Sequence, residues 1–412
     1  FIMANLVFCY NNFRQFSRLI NRQFFSFSKN TESQCLKRFT PTTTIIHLQS
    51  KRNLFSDEVL GVDRFVQLRQ QISQRFGQQK QIFFDRLTEH IADEKNAILS
   101  EDLKNLLFLC ENSDNHIDLL RRTIDKFEKQ NESLRFGLFQ FGPIVMRLAR
   151  HLNNVDMAMW IFNPKYKNFF TQISSVTIAM DILLENGHYQ DVIKLFDYAT
   201  TKFDFDVKYP IDFVVLYFAA CYKLNTVESF ESAFRVLRSI QMSNDHQIKL
   251  RGLYCFIALA IKQNHPNIAL EIIQNLNSKS MKSMNIIIQS LRLLALSRIN
   301  RLNDVADIIQ FQLNKDKPKK NQIIFNDVMI EIRTVIEKSG KPELIEKING
   351  LIKQLEESNM IEMKRALDDA LMSTINFQRQ RKFPNQQSTN DADGGDVDTE
   401  QQQPRPRQQW NR

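Results

Sequence analysis

Cysteine and histidine are the side chains of this sequence that could bind a metal ion or form a nucleophile–base pair. The 412 residues include five cysteines and seven histidines. No two cysteines stand as C-x-x-C, and no two histidines have the spacing of zinc ligands. Cys110, Cys221 and Cys255 lie among apolar residues of predicted helices, where a buried, unreactive thiol is far commoner than a nucleophile. We therefore predict that the protein binds no metal ion and no cofactor.

The sequence also lacks the short motifs of the common phosphate-binding and hydrolytic enzymes. It contains no G-x-G-x-x-G, no P-loop, no G-x-S-x-G and no H-E-x-x-H. The acidic pair Asp368 and Asp369 lies in a predicted amphipathic helix, where we expect it on the solvated face. We predict that the protein is not an enzyme, so its function must be sought in binding.

Net charge does not by itself indicate nucleic-acid binding. The formal charge is +9, but residues 1–55 carry +7 of it, from eight lysines and arginines and a single acid, Glu32. Residues 56–378 are left at about +1. Any contact of this central segment with phosphates must come from a local group of basic residues.

Composition predicts a helical protein. The chain contains only 10 glycines and 10 prolines and is rich in leucine, isoleucine, lysine, glutamate and glutamine. No stretch approaches the ~20 apolar residues that span a membrane. The longest apolar run, Phe213–Tyr222, is better explained as the inner helix of a hairpin. We predict no membrane-spanning segment.

A helix-turn-helix unit is visible around Gly187. Upstream, Ile178 and Ile182 share one helical face, and the glycine tolerates the left-handed conformation that closes a helix. Downstream, Val192 and Phe196 share one face of a second helix. A turn this short predicts an antiparallel helical hairpin, which needs neighbours to bury its apolar faces.

The same pattern recurs along the chain. In each copy a small or apolar residue opens the second helix, and a large apolar residue follows four places later. The opening residues are Leu120, Ala158, Val192, Ala233, Ala269 and Val305, and successive ones are 38, 34, 41, 36 and 36 residues apart. A period of about 35 residues is typical of one helix-turn-helix repeat in a solenoid. We predict an all-α fold, an α–α superhelix of such repeats, with an ordinary helical domain as the alternative.

The two ends of the chain differ from this helical centre. Residues 1–55 are rich in arginine and serine and place Arg14, Arg18 and Arg22 on one side of an amphipathic helix. This composition is typical of a mitochondrial transit peptide, with a surface-binding helix as the alternative. Residues 379–412 are rich in Gln, Asn, Asp and Pro, which predicts a disordered tail. The predicted helical-repeat domain is therefore 56–378.

Four central segments carry a resemblance to a known family. They are LLFLCENSDNHIDLLRRTI, LFQFGPIVMRLARHL, MDILLENGHYQDVIKLF and CYKLNTVESF, in this order within residues 80–300. Together they resemble the pentatricopeptide repeat proteins of animal mitochondria. The resemblance implies a right-handed α-solenoid in the mitochondrial matrix that binds single-stranded mitochondrial RNA. It also implies a part in transcript processing and maturation, alongside RNA-processing proteins, and hence in respiratory-chain assembly.

The resemblance further implies which side chains face the bases. In helical-repeat readers each hairpin offers two or three side chains to one unpaired base. By resemblance, the base-facing position lies on the first helix, ten residues before the turn glycine, and is Thr177. The corresponding candidates are Val215, Tyr254 and Asn285. Of these, Thr177 and Asn285 have the polar type that distinguishes bases by hydrogen bonds, so the sequence departs from a strict pattern of one base for each repeat.

Basic residues of the repeats are the candidates for phosphate contacts. They are Lys208, Arg251, Arg292 and Arg298. The alternative function is a tetratricopeptide-like scaffold that docks a protein partner in its groove. Tetratricopeptide repeats prefer aromatic residues at points of the first helix where SVTIAMDILLENG has none, which favours RNA. The sequence does not indicate an oligomeric state.

Overall fold

The computed structural model of the protein describes residues 54–93, 95–134, 139–166, 168–243, 248–279, 285–314, 323–338 and 342–375. Of the predicted transit peptide, 1–55, only Leu54 and Phe55 are among them, and both are fully buried in the helical body. The predicted tail, 379–412, lies wholly outside the described residues. Both terminal assignments, and the domain limits 56–378 that depend on them, stay predictions.

The first described residues form helices that precede the main repeats. They are α1 (Asp57–Leu60), α2 (Val62–Phe76), α3 (Lys80–Ala92), α4 (Ser100–Leu109) and α5 (Asp114–Leu134). Helix α2 packs against α4, and Phe65 stacks on Phe108 with ring centroids 5.2 Å apart. In α5 the predicted pair Leu120 and Ile124 is fully buried, so the repeat pattern extends to this helix.

Residues 142–357 form helical hairpins, and each hairpin consists of a first helix and a second helix. The first helices are α6 (Gly142–His151), α8 (Ile173–Glu185), α10 (Ile211–Leu224), α12 (Leu250–Lys262), α14 (Ile286–Arg298) and α16 (Asn326–Lys338). The second helices are α7 (Val155–Met159), α9 (Tyr189–Lys202), α11 (Val227–Met242), α13 (Pro266–Lys279), α15 (Leu302–Leu313) and α17 (Pro342–Glu357). Each first helix packs against the next, so the first helices form one layer. This arrangement confirms the predicted all-α solenoid of helix-turn-helix repeats.

A residue in the left-handed conformation follows the first helix of successive hairpins. Gly187 has φ +81°, and asparagines fill the corresponding positions of its neighbours. They are Asn153, Asn225, Asn264 and Asn300, with φ between 50° and 60°. Asparagine adopts this conformation more readily than most residues other than glycine. The left-handed positions are 34, 38, 39 and 36 residues apart, in agreement with the period of the apolar pattern.

The predicted anchor residues of the second helices are buried. Those that open the pattern are Ala158, Val192, Ala233, Ala269 and Val305, all at 0% exposure. Phe196, four residues after Val192, is 1% exposed and stacks on Tyr217 of α10 with ring centroids 4.1 Å apart. The second helices bury this stripe and expose their opposite face, as amphipathic helices do.

The central first helices, α8, α10 and α12, are in contrast buried on every side. In α8 the ten residues 175–184 are all buried, as are 213–222 of α10 and 252–261 of α12. A helix buried over nearly three turns must have neighbours all round it. Adjacent first helices cover two sides and the second helices a third. The remaining side, opposite the second helices, is called the inner face below, and other parts of the chain must cover it.

A short strand pair flanks the last hairpin, with one strand before α16 and one after α17. The strands are β1 (Ile324–Phe325) and β2 (Ile361–Glu362), and the helix after them is α18 (Leu367–Leu371). The strands are parallel, with Ile324 opposite Ile361. The N–H of Phe325 donates a 3.2 Å hydrogen bond to Ser290 Oγ of α14, which fixes the pair to the layer of first helices. The chain thereby returns to this layer and forms α18 against it.

Two segments from opposite ends of the described chain lie on the inner face. We call residues 54–57 the N-terminal strap and residues 366–375 the C-terminal strap. Helix α18 of the C-terminal strap packs on α12 and α14. The straps meet where the N–H of Ile375 donates a 2.9 Å hydrogen bond to the carbonyl oxygen of Leu54. These two segments cover part of the fourth side of the first helices, the C-terminal strap at α12 and α14 and the N-terminal strap at α8.

Candidate nucleic-acid interface

A buried arginine of α6 holds the N-terminal strap. Arg150 Nε donates to Asp57 Oδ1 of the strap at 2.7 Å, and Arg150 Nη1 lies 2.5 Å from Asp181 Oδ2 of α8. Glu185, one turn further along α8, lies 3.2 Å from the same nitrogen. The Arg150 side chain is only 5% exposed. One guanidinium therefore joins the strap, α6 and α8.

These groups give the inner face at α8 a negative charge, because three carboxylates share one guanidinium. Burial raises the pKa of Asp181 to about 7. The charges of Glu185 and Asp57 also raise this pKa, whereas Arg150 and a hydrogen bond from the Phe55 N–H lower it. An excess of carboxylates repels phosphates. This part of the inner face therefore does not suit the backbone of a nucleic acid.

Thr177, the predicted base-facing residue, lies on the same side of α8 as this acidic group. It precedes Asp181 by four residues, and residues four apart share a helix face. Thr177 is 5% exposed, and its hydroxyl donates a 2.9 Å hydrogen bond to the carbonyl oxygen of Ile173. Val215 and Tyr254, the corresponding candidates, are buried as well. In this structure Thr177 is covered, and its part in reading bases stays a prediction.

The C-terminal strap places a carboxylate among basic and polar groups of α10 and α12. Lys223 Nζ donates to Asp368 Oδ2 at 2.7 Å, and the Tyr222 hydroxyl also hydrogen-bonds to Asp368. Burial lowers the pKa of Lys262, and the charge of Asp368 opposes this shift. The sequence predicts a solvated Asp368, but the structure pairs it with a lysine because α18 packs on the inner face.

Arg251, a predicted phosphate contact, lies against the carboxyl end of α18. Its Nη1 donates to the carbonyl oxygens of Ala370 and Leu371, the second at 3.2 Å, and lies 3.4 Å from Ser373 Oγ. The last carbonyls of a helix carry partial negative charge. Burial lowers the pKa of Arg251, yet an arginine stays charged at physiological pH. Arg251 thus contacts three oxygen atoms at the end of α18, two of them carbonyl oxygens with partial negative charge.

Lys208, Asn285 and Arg298 are the exposed members of the predicted set, and Arg298 forms an ion pair with Glu331 of α16. Lys208 lies in the link before α10, with its ammonium 5.2 Å from the centroid of the Tyr209 ring. Asn285 caps α14, and its Oδ1 accepts a 3.3 Å hydrogen bond from the N–H of Ile287. The side chains of Lys208 and Asn285 are open to a ligand without rearrangement of the fold.

The four predicted residues lie towards one edge of the layer of first helices. Thr177 is the fifth residue of α8 and Arg251 the second of α12, while Lys208 and Asn285 stand just before α10 and α14. This is the amino-terminal edge, where backbone N–H groups contribute partial positive charge. Within the described ranges, no hydrogen bond or ion pair joins any two of the four. They form a row along the repeats and not a single pocket.

The straps are not apparent from the sequence. The apolar period identifies hairpins, but it does not show which segment outside the hairpins returns to the inner face. One signal was present, since Leu367 and Leu371 stand four residues apart beyond the last hairpin and both are buried. The spacing alone indicates that these two leucines form an apolar stripe, but it does not show that the stripe packs on the inner face.

The described cysteines and the possible metal ligands were considered above for enzyme chemistry. Cys110, Cys221 and Cys255 are buried as predicted, and burial raises the pKa of each thiol to about 12, so the thiols stay protonated near neutral pH. The described residues contain no cluster of histidine, cysteine and acidic side chains placed to hold a metal ion. Over the same part of the chain, no helix has the length and apolar character needed to cross a membrane.

Comparison with known proteins gives relatives of one kind. Pentatricopeptide repeat-containing protein 2, mitochondrial, of Pongo abelii is 30% identical over 307 residues, which cover 73% of this chain and 76% of that protein. The proteins of the same name from Mus musculus and Homo sapiens are each 28% identical. The mouse alignment covers 76% of this chain and 80% of the relative, and the human alignment 74% and 76%. No family model matches the chain. On the strength of these relatives and of the repeated hairpins, the chain belongs to the family of pentatricopeptide repeat-containing protein 2, mitochondrial.

Proposed function

We propose that this protein is a non-catalytic, RNA-binding helical-repeat protein of mitochondria that takes part in the processing and maturation of mitochondrial transcripts, and thereby in respiratory-chain assembly. One observation carries the proposal. Polar and basic residues recur along the amino-terminal edge of the first helices, in a chain whose relatives are named for pentatricopeptide repeats. Repeated hairpins can present such residues to successive unpaired nucleotides.

Two kinds of contact serve this function. Lys208 and Arg251 supply positive charge for phosphates, which provide much of the affinity but no sequence information. Asn285 and Thr177 supply hydrogen-bonding groups that distinguish bases. Asn285 is exposed, whereas Thr177 becomes accessible only when its covering moves. The expected ligand is therefore single-stranded RNA, bound with modest sequence preference.

The proposed location is the mitochondrial matrix. The relatives carry the word mitochondrial in their names, and residues 1–55 have the composition of a transit peptide. An RNA ligand made inside the organelle requires the protein to reach the same compartment.

RNA binding can be tested with the purified full-length protein by fluorescence anisotropy. We expect a short single-stranded RNA to bind more tightly than the duplex of the same sequence. The logarithm of its affinity should fall against the logarithm of salt concentration with a slope of roughly 2 to 3, as for three or four phosphate contacts. Crosslinking in intact mitochondria, followed by sequencing, then identifies the bound transcripts. No binding at low salt contradicts the proposal.

A tetratricopeptide-like scaffold for proteins is the second candidate, and one observation favours it. The inner face already holds two polypeptide segments, the N-terminal and C-terminal straps. A surface that holds such segments within the chain can hold a peptide of a partner in the same way. Recovery of a protein partner from mitochondrial extract, together with no RNA binding at low salt, decides for the scaffold.

A further inference from the structure

We propose that the C-terminal strap, residues 366–375, is a built-in competitor of RNA for basic residues of the inner face. The inference rests on the proposed RNA-binding function and deepens it, because it states when the surface is open. It follows from the chemistry of the contacts that the strap makes with α10 and α12.

The strap presents oxygen atoms to cations as an RNA backbone would. The Asp368 carboxylate pairs with Lys223 of α10 at 2.7 Å. A few residues later, the carbonyl oxygens of Ala370 and Leu371 accept hydrogen bonds from Arg251 of α12. Phosphate oxygens bind lysine and arginine through the same charge-assisted hydrogen bonds. Successive negative groups of the strap therefore occupy cations on successive first helices.

Phosphates and the strap cannot use these cations together. The Nη1 atom of Arg251 is directed to the strap, and the Lys223 side chain is only 25% exposed beside Asp368. Lys262 lies near the same carboxylate, with its ammonium 4.0 Å from the centroid of the Tyr222 ring. Departure of the strap would uncover Lys223 and Arg251 beside Lys262, which is already exposed, while the hairpins stay intact.

The strap is held by contacts with the helical body. Its helix, α18, begins where the N–H of Leu367 donates a 2.9 Å hydrogen bond to Asp327 of α16, and its buried apolar residues are Leu367, Ala370 and Leu371, followed by the buried Met372. At its end, Ile375 is joined to Leu54 by one backbone hydrogen bond. A helix of five residues has no stability of its own in water, so α18 persists only through these contacts. The inner face therefore exchanges between a covered and an uncovered state.

This exchange sets the apparent affinity for RNA. If RNA binds only the uncovered state, its apparent affinity is the intrinsic affinity multiplied by the uncovered fraction. A change that weakens the strap without touching the basic residues must then tighten RNA binding. A substitution of the same kind elsewhere in the fold, away from the strap and the basic residues, must leave the affinity for RNA unaltered.

Two substitutions in the full-length protein weaken the strap in different ways, and each has a matched control. Asp368→Asn removes the charge that pairs with Lys223, and its control, Glu357→Gln, makes the same charge change at an exposed site of α17. Leu371→Ala removes a fully buried apolar anchor, and its control, Leu355→Ala, removes a fully buried leucine of α17. We expect about twofold to fivefold tighter RNA binding for Asp368→Asn. For Leu371→Ala we expect at least about tenfold, with both controls unchanged.

Hydrogen exchange gives a second readout. Single-stranded RNA should speed hydrogen exchange of the amides of residues 366–375 in the unmodified protein. Faster exchange, together with tighter RNA binding by Asp368→Asn and Leu371→Ala, supports the proposal. If RNA binds but leaves this exchange unaltered, and Asp368→Asn binds like Glu357→Gln, the competitor is disproved while the RNA-binding function stands. If no variant binds RNA, both fail. Should Leu371→Ala not fold, Asp368→Asn and the exchange measurement still decide.

Discussion

The backbone N–H of Phe55 donates a hydrogen bond to the carboxylate of Asp181 in the middle of the first-helix layer. The Phe55 side chain is fully buried, and the ammonium of Lys249 lies 5.7 Å from the centroid of its ring. The last residue of the predicted transit peptide, 1–55, is therefore packed into the helical body. If residues at the amino terminus are removed after import, we expect the cleavage to leave Leu54 on the mature chain.

Two truncated proteins test this boundary. We expect a chain that begins at Leu54 to unfold with the same free energy as the longer protein. A chain that begins at Ser56 should lose roughly 3 to 6 kcal/mol, because full burial of each apolar side chain contributes about 1.5 to 3 kcal/mol. Urea unfolding followed by circular dichroism measures the difference. Equal stability of the two chains would show that the N-terminal strap does not stabilise the fold.

Import itself is tested in cells, since residues 1–53 lie outside the described structure. Replacement of Arg14, Arg18 and Arg22 by glutamate should leave the protein in the cytosol, because a transit peptide needs a positively charged amphipathic helix. Replacement of the same residues by lysine keeps the charge and serves as the control. Cell fractionation measures the distribution. An unchanged mitochondrial location of the glutamate variant would rule out the transit-peptide interpretation.

The repeated hairpins could be predicted from the sequence because they depend on local patterns. The apolar positions four residues apart, such as Val192 and Phe196, are needed wherever a second helix packs on the layer. Gly187 was recognised as a turn residue, but Asn225 and Asn264 were not, although they have the same left-handed backbone. Asparagine occurs in many other settings, so its type alone does not mark a turn.

The accessibility of the candidate site could not be predicted. Residue type shows that Thr177 can form hydrogen bonds, but its 5% exposure is set by tertiary packing. On the same face of α8, Asp181 accepts a hydrogen bond from Phe55, which is more than a hundred residues away in sequence. Arg251 likewise meets Ala370 across 119 residues. Such contacts follow from tertiary packing, which the period of a helix does not encode. The sequence therefore predicted candidate residues and not the segments that cover them.

Phe196 provides a test of the repeat packing. Its ring stacks on Tyr217 of the next first helix, so Phe196→Ala leaves a cavity between two hairpins. We expect a loss of about 3 to 5 kcal/mol in the free energy of unfolding, measured by chemical denaturation. Met242→Ala, at an 81% exposed position of α11, is the control and should change stability little. A small effect at Phe196 would contradict the packing of α9 on α10.

The buried acidic group predicts a dependence of stability on pH. Because the pKa of Asp181 rises from 3.8 to about 7, the folded protein holds a proton that the unfolded chain releases. This contribution is fully present below pH 3.8 and is lost as the pH rises through 7. We expect the free energy of unfolding to fall between these values by at most about 1.4 kcal/mol per pH unit from this group.

Asp181→Asn isolates the effect, because asparagine does not titrate. Urea unfolding of both proteins at several pH values between 4 and 8 should show a smaller decline for the variant. Asp156→Asn, at an exposed position of α7, should follow the unmodified protein. Parallel curves for Asp181→Asn and the unmodified protein would contradict the raised pKa of Asp181 and would mean that Arg150 keeps it ionised throughout.

The residues proposed to meet RNA predict two separable effects. Lys208→Gln should weaken binding of all single-stranded RNAs alike and reduce the salt slope by about 0.7, since one phosphate contact is lost. Lys202→Gln, at an exposed position of the second helix α9, is the control and should bind like the unmodified protein. Arg251 is less suitable for this measurement, because its substitution also removes the contact with the C-terminal strap.

Thr177→Ala combined with Asn285→Ala should act on specificity instead. Both substitutions remove hydrogen-bonding groups and leave the charge unaltered, so the salt slope should stay the same. The difference in binding free energy between preferred and other RNAs should shrink by about 1 to 3 kcal/mol if the side chains read base edges. Because Asn285 is exposed and Thr177 is 5% exposed, the single substitutions distinguish two routes. An effect of Asn285→Ala alone places bases at the open edge of the layer, whereas an added effect of Thr177→Ala requires that the groups covering Thr177 move when RNA binds.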